Sequence, residues 1–126
     1  MANIVSCMYV IAVNDLKTTA DYYQHILGFT VHEIGDDGWR IFKKDQCRIM
    51  AGHCADAIPP KQLGDHSYFA YINVDGLDDY FMEIKTRGGR ILKSPRNEPW
   101  GMREFAVETI DGHRIMFGIE IEEAEN

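Results

Sequence analysis

The side chains able to do acid, base, nucleophilic or metal chemistry are scattered along this 126-residue sequence. The five histidines do not cluster: His25 falls on a predicted helix, His32 and His53 on strands, and His66 and His113 beside turns. His53-Cys54 is the one His/Cys neighbour pair, and adjacent residues on a strand point to opposite faces, so the two cannot chelate one ion. Cys7, Cys47 and Cys54 are odd in number and lack CxxC spacing, which indicates neither a disulfide framework nor a zinc knuckle and implies a reducing compartment. No Ser/His/Asp order, phosphate-binding loop or paired carboxylates can be assembled. Two residues suit non-covalent recognition. Trp100, in the loop Pro99-Trp100-Gly101, can stack on a planar ligand or plug a sheet edge. Arg103 can hold a carboxylate or phosphate through its planar fork, or pair on the surface with Glu104 or Glu108.

Composition bounds the frame that must position them. With 45% hydrophobic residues the chain can bury one core, so residues 1–126 read as a single domain, and any internal duplication shares that core. The net charge of -7 and pI near 5.1 exclude nucleic acid and an anionic membrane as main partners and suit a neutral or cationic ligand, or simply keep the chain in solution. Part of that charge, Glu120, Glu122, Glu123 and Glu125, is expected to be a frayed tail. The N-terminus lacks a basic leader and no apolar run is long enough to span a bilayer, so a cytoplasmic location is expected.

The periodicities give an ordered set of elements. Ser6 to Val13 reads as a strand, Asn14-Asp15 as turn and helix cap, and Leu16 to Leu27 as a helix with Leu16, Ala20, Tyr23 and Leu27 facing the core, stopped by Gly28. Strands Phe29 to Ile34, Trp39 to Lys43 and Cys47 to His53 follow, separated by the hairpin signals Asp36-Asp37-Gly38 and Lys44-Asp45. Cys54 to Gly64, with Pro59-Pro60, has no periodicity. Then the order repeats: strand Tyr68 to Val74, helix Leu77 to Thr86 ended by Gly88-Gly89, and strands Arg90 to Ser94, Arg103 to Glu108 and His113 to Ile119, with Asp111-Gly112 as the strongest hairpin turn. Module one spans about residues 4–54, a linker about 55–65, and module two about 66–121.

The residues repeat along with the elements. Val13-Asn14-Asp15-Leu16 answers Val74-Asp75-Gly76-Leu77, and Asp45-Gln46-Cys47-Arg48-Ile49-Met50 answers Asp111-Gly112-His113-Arg114-Ile115-Met116. The fold class is therefore α+β, two βαβββ modules, neither of which can bury its sheet face alone.

Together with the helix ending Tyr22-Tyr23…Leu27-Gly28-Phe29 and the run Pro99-Trp100-Gly101-Met102-Arg103-Glu104-Phe105, these residues resemble the vicinal oxygen chelate superfamily of glyoxalases, extradiol dioxygenases and fosfomycin and bleomycin resistance proteins. The resemblance covers almost the whole chain and is strongest to the bleomycin resistance branch. It implies that the eight strands curl into one cup and that the protein is a homodimer. It also implies where a metal would sit in the family's enzymes: at the positions of Met8, Met50, Phe69 and Met116. Divalent ions need oxygen, imidazole or thiolate donors, so three thioethers and a phenyl make no such site, and no metal or other cofactor is expected. A shift of one residue supplies no ligand set either.

Strand alternation fills in the expected cup lining. Met8, Val10 and Ala12 share a face, as do Phe69, Tyr71 and Asn73, with Gly52 and Gly118 leaving room beside Met50 and Met116. Phe42 and Phe105 join Trp100 and Arg103 as candidate ligand contacts. The alternative is that these side chains meet as solid core. The function expected is metal-independent binding of an apolar or aromatic small molecule. The alternative is an enzyme of the same superfamily, a lyase, isomerase or dioxygenase-like catalyst, using an atypical metal site or acid/base chemistry at Tyr71, His66 or Cys54. A glyoxalase-like metalloenzyme fits least, because the ligands are missing and Ala12 stands where glutathione-dependent members tend to carry a basic residue.

Overall fold

The computed structural model describes residues 2–64 and 66–124. Its contacts divide the chain into two compact units, Met1–Ala57 and Ile58–Asn126, each built on its own sheet.

In the first unit the alternation of Tyr9–Val13 makes β1, with Ile11 and Val13 buried and Val10 and Ala12 exposed. Asp15 caps α1 (Leu16–His25), its carboxylate accepting from the Thr18 amide at 3.1 Å. The pattern predicts helix through Leu27, but the amides of both Ile26 and Leu27 turn back to the Tyr22 carbonyl, and Gly28 at φ 80° redirects the chain. β2 (Thr30–Glu33), β3 (Trp39–Lys44) and β4 (Cys47–His53) complete a sheet in the order β1-β4-β3-β2, with β1 and β4 parallel. Its core lies on the helix side, where Tyr23 stacks on Phe42 with ring centroids 4.6 Å apart and Ile49 and Ala51 are fully buried.

The second unit repeats this plan. β5 (Tyr68–Asn73) leads into α2 (Leu77–Thr86), and β6 (Arg90–Asn97), β7 (Met102–Glu108) and β8 (Arg114–Glu120) complete the order β5-β8-β7-β6. Phe105 stacks on Phe117 at 4.9 Å, and Tyr80 and Phe81 of α2 meet them edge-on. β6 runs past the expected Ser94 through Pro95; as an edge strand it tolerates a residue without an amide N–H.

The two ladders correct the expectation of a single curled eight-stranded cup. Among the described residues each sheet has four strands and ends in two edges, β1 and β2 in one and β5 and β6 in the other, so neither closes and no ladder joins eight strands. Alternation fixes which strands belong to a module, whereas whether two edges pair depends on backbone groups that every sequence has.

The segment expected to be a linker is also partly ordered. Pro60–Leu63 forms a single 3-10 turn, Lys61 packs on Gly112, and the Gly64 carbonyl accepts from the Arg114 guanidinium. Asp65, in the same predicted linker, lies outside the described residues. Where a frayed acidic tail is expected, β8 continues to Glu120 and Ile121–Ala124 forms the short helix α3, tied by the Ile121 amide to the Gly101 carbonyl at 3.1 Å. Glu125 lies outside the described residues.

Candidate binding site

Because one face of each sheet carries its helix, alternation sends a second set of side chains to the helix-free face. On the first sheet Val10 lies beside Met50 and Ala12 beside Gly52, while Ile41 and Trp39 stand opposite Met50 and Gly52 from β3. The Trp39 ring covers Gly52 so closely that a Cβ there would come within 2.6 Å of it. Met8, just before β1, and Met50 are both half-buried.

The second sheet places a polar cluster on the same kind of face. Glu104 of β7 stands opposite Gly118 of β8, and its side chain is 4% exposed. Tyr71 of β5 pairs with Met116 and reaches diagonally across Gly118, donating its O–H to Glu104 Oε2 at 2.7 Å. The same oxygen accepts the Trp100 indole N–H at 3.0 Å, and Oε1 accepts from Lys93 Nζ at 3.0 Å. Lys93 also pairs with Glu98 at 3.0 Å and lies 5.8 Å from the Trp100 ring centroid, and Glu98 in turn holds Arg96.

Local chain geometry brings Trp100 here. The Gly101 amide donates to the Glu98 carbonyl at 3.1 Å and the Glu98 amide to the Met102 carbonyl at 2.8 Å, closing a tight turn with Pro99 preset for its first corner and Gly101 at φ 87°. The indole nitrogen is held while the ring stays 62% exposed.

The charges of the cluster are mutually fixed. Burial acts to raise the Glu104 carboxyl, but the hydrogen bonds from Trp100, Tyr71 and Lys93 outweigh it and hold it below the usual carboxylate range. Burial, and then the bond to Glu104, pushes the Tyr71 phenol well above its ordinary value, so it keeps its proton at neutral pH and is not a base. One register step along the same face, a cavity of about 430 Å³ is lined by Asn73, Val74, Asp75, Met102, Ile119 and Glu120.

The remaining candidates fall elsewhere. Phe42 and Phe105 are fully buried on the helix sides of their sheets. Arg103 binds Asp78 of α2 through Nε at 3.0 Å and Nη2 at 3.1 Å, and Asn97 through Nη1 at 3.1 Å, so the pairing with Glu104 or Glu108 considered from the sequence does not form; Glu108 pairs with Arg90 instead. Phe69 sits at a β-bulge with its ring edge-on to His113 at 5.6 Å. His113 is buried with no partner for Nδ1, and burial pushes its pKa down to about 4.

Among the described residues no group of three His, Cys, Asp or Glu side chains can hold a metal ion. The thioethers of Met8, Met50 and Met116 and the phenyl of Phe69 do not fit the divalent metal that the resemblance implies at those positions.

Sequence reasoning missed Glu104, Lys93, Glu98 and Trp39 as members of these faces. The hairpin signal was one residue short for Glu104: a two-residue turn at Asp111-Gly112 would set Glu104 opposite Ile119. The loop closes instead as Ile110-Asp111-Gly112, with the Gly112 amide donating to the Thr109 carbonyl at 2.9 Å and the Thr109 amide to the His113 carbonyl at 2.7 Å, and so puts Glu104 opposite Gly118, on the face of Met116.

A protein-family model described as "Glyoxalase/Bleomycin resistance protein/Dioxygenase superfamily" matches residues 4–117. No curated protein matches the chain. Solved structures do match in fold. The bleomycin resistance determinant encoded on transposon Tn5 superposes with TM-score 0.78 at 20% identity, with 94% of this chain and 99% of that one covered. A bleomycin-binding protein complexed with bleomycin gives TM-score 0.76 at 20% identity, with 91% of this chain and 98% of that one covered. TnmS3, an antibiotic binding protein from Streptomyces sp. CB03234, gives 0.75 at 20% identity, with 95% and 98% covered.

Proposed function

From the premise that the chain belongs to the Glyoxalase/Bleomycin resistance protein/Dioxygenase superfamily, we propose that it is a metal-independent binding protein that holds a planar, apolar or aromatic small molecule without making or breaking bonds. One observation carries this reading: Trp100 and Tyr71, both substantially exposed, are pinned by a shared carboxylate oxygen on the helix-free face of the second sheet. An indole whose edge is fixed and whose ring meets solvent is a stacking surface, and Met116 beside Tyr71 adds a deformable apolar contact. The names of two fold relatives, a bleomycin-binding protein and an antibiotic binding protein, support the same class of ligand.

The enzymatic alternative finds no support at Tyr71, whose phenol is held protonated. A homodimer and a cytoplasmic location belong to the same proposal; no helix among the described residues is long and apolar enough to cross a membrane.

The test is calorimetric titration with bleomycin and a panel of planar aromatic antibiotics, followed by recovery and mass analysis of the ligand. Saturable binding of at least one compound, recovered chemically unchanged and weakened by Trp100→Ala, is expected. A ligand recovered as product, or no binding across the panel, overturns the reading.

A further inference from the structure

We propose that Glu104 is the positioning residue of the binding face, the group that fixes both aromatic side chains before any ligand arrives; this rests on the binding reading above. Tyr71 lies on β5 and Trp100 in the turn before β7, and their common tie is one carboxylate oxygen: Glu104 Oε2 accepts from Tyr71 at 2.7 Å and from Trp100 at 3.0 Å. Two donors fill the two lone pairs of that oxygen, so it has none left for a ligand. Glu104 therefore acts through the rings and not by contact.

Three features make the arrangement rigid. The Glu104 side chain is 4% exposed, where a carboxylate must be paired, and Lys93, 19% exposed, supplies the charge from the other oxygen. Lys93 is itself held by Glu98, which closes the turn that carries Trp100. Gly118 leaves the space through which the Tyr71 ring reaches Glu104; a Cβ there would collide with the phenol. An exposed tryptophan otherwise samples several rotamers, and stopping that motion on binding lowers affinity by about two- to tenfold for each such side chain. With the rings already fixed, that loss falls on folding instead. The ligand class follows from what is left open: a flat molecule meeting the free area of the Trp100 ring, with no demand for a charge to match Glu104.

The experiment compares the wild-type chain with Glu104→Leu and Glu104→Gln, reading the Trp100 indole N–H by 1H–15N NMR, assigned by its loss in Trp100→Phe. Glu104→Leu is expected to move the indole signal upfield and expose it to exchange, while the amides of β5 to β8 stay dispersed, and to weaken bleomycin binding by about tenfold for two released rings. Glu104→Gln keeps a carbonyl acceptor and is expected to restore most of both. If Glu104→Leu moves neither the indole signal nor the affinity, or if Glu104→Gln perturbs the indole as much as Glu104→Leu does, the proposal fails. Should Glu104→Leu not fold, Glu104→Gln decides: the indole signal stays hydrogen-bonded or the proposal fails. If wild type binds no panel compound, the binding reading fails, while the indole signals still decide whether Glu104 fixes Trp100.

Discussion

Tyr71 donates its phenolic hydrogen to Glu104 Oε2 at 2.7 Å by passing over Gly118, a residue on the strand between them. The bond is charge-assisted, yet Glu104 keeps Trp100 and Lys93 when it is lost. Tyr71→Phe is therefore expected to reduce stability by about 1 to 2 kcal/mol, toward the lower end for a hydrogen bond to a charged group. Urea denaturation of the two proteins, compared at unchanged slope, measures this.

The glycines beneath the two aromatic rings are not equivalent. Alanine at Gly118 would drive its Cβ into the Tyr71 hydroxyl and break the bond to Glu104, whereas alanine at Gly52 would meet only the Trp39 ring, 37% exposed and able to swing outward. Gly118→Ala is expected to lose about 2 to 3 kcal/mol and Gly52→Ala about 1 kcal/mol, from overpacking in the first case and partial loss of ring burial in the second. Thermal melts of both variants give the order; equal losses would mean that Tyr71 yields as easily as Trp39.

These glycines also show how far the sequence could be read. The repeat Arg48-Ile49-Met50 and Arg114-Ile115-Met116 placed β4 and β8 at the same point of each module, and β4 and α2 have the bounds their patterns predict. Alternation correctly grouped Tyr71, Met116 and Gly118. It said nothing of Glu104, because a glutamate between Arg103 and Phe105 on a strand reads as surface charge until the opposite strand is in register. Phe42, named among the ligand contacts with no alternation argument behind it, pairs in register with Ile49, and both are fully buried on the side of α1. The curled cup failed for a different reason: nothing in side-chain pattern reports whether edge strands meet.

His113 makes stability fall with acid. Buried and without a partner for Nδ1, it stays neutral in the folded chain down to about 4, while in the unfolded chain it takes a proton near 6.5. The unfolded state binds more protons between these values, so its contribution is complete above about pH 6.5 and is lost progressively toward pH 4, reaching about 3 kcal/mol. Unfolding free energies at pH 7 and pH 4.5 should differ less in His113→Phe than in wild type. An identical pH dependence in the two would show that the imidazole is not shielded.

The donor types at Met8, Met50, Phe69 and Met116 predict that any ligand binding is independent of divalent metal. Dialysis against EDTA is expected to leave both the melting temperature and the bleomycin titration unchanged, and elemental analysis of protein purified without chelator should find no stoichiometric divalent ion. An ion near one per chain would require a ligand set that these four residues do not supply.

Arg103 separates an anchor from a ligand contact. Its guanidinium spans Asp78 and Asn97, joining β7 to α2 and to the end of β6, and it points away from the face that carries Glu104. Asp78 is 60% exposed, so solvent screens the pair and its coupling is expected to be about 0.5 to 1 kcal/mol. A double-mutant cycle with Arg103→Ala and Asp78→Ala, followed by urea denaturation, measures that coupling. Arg103→Ala should at the same time bind bleomycin as the wild type does, since neither Trp100 nor Tyr71 depends on it. A variant as stable as wild type but weaker in binding would return Arg103 to the ligand and remove it from the scaffold.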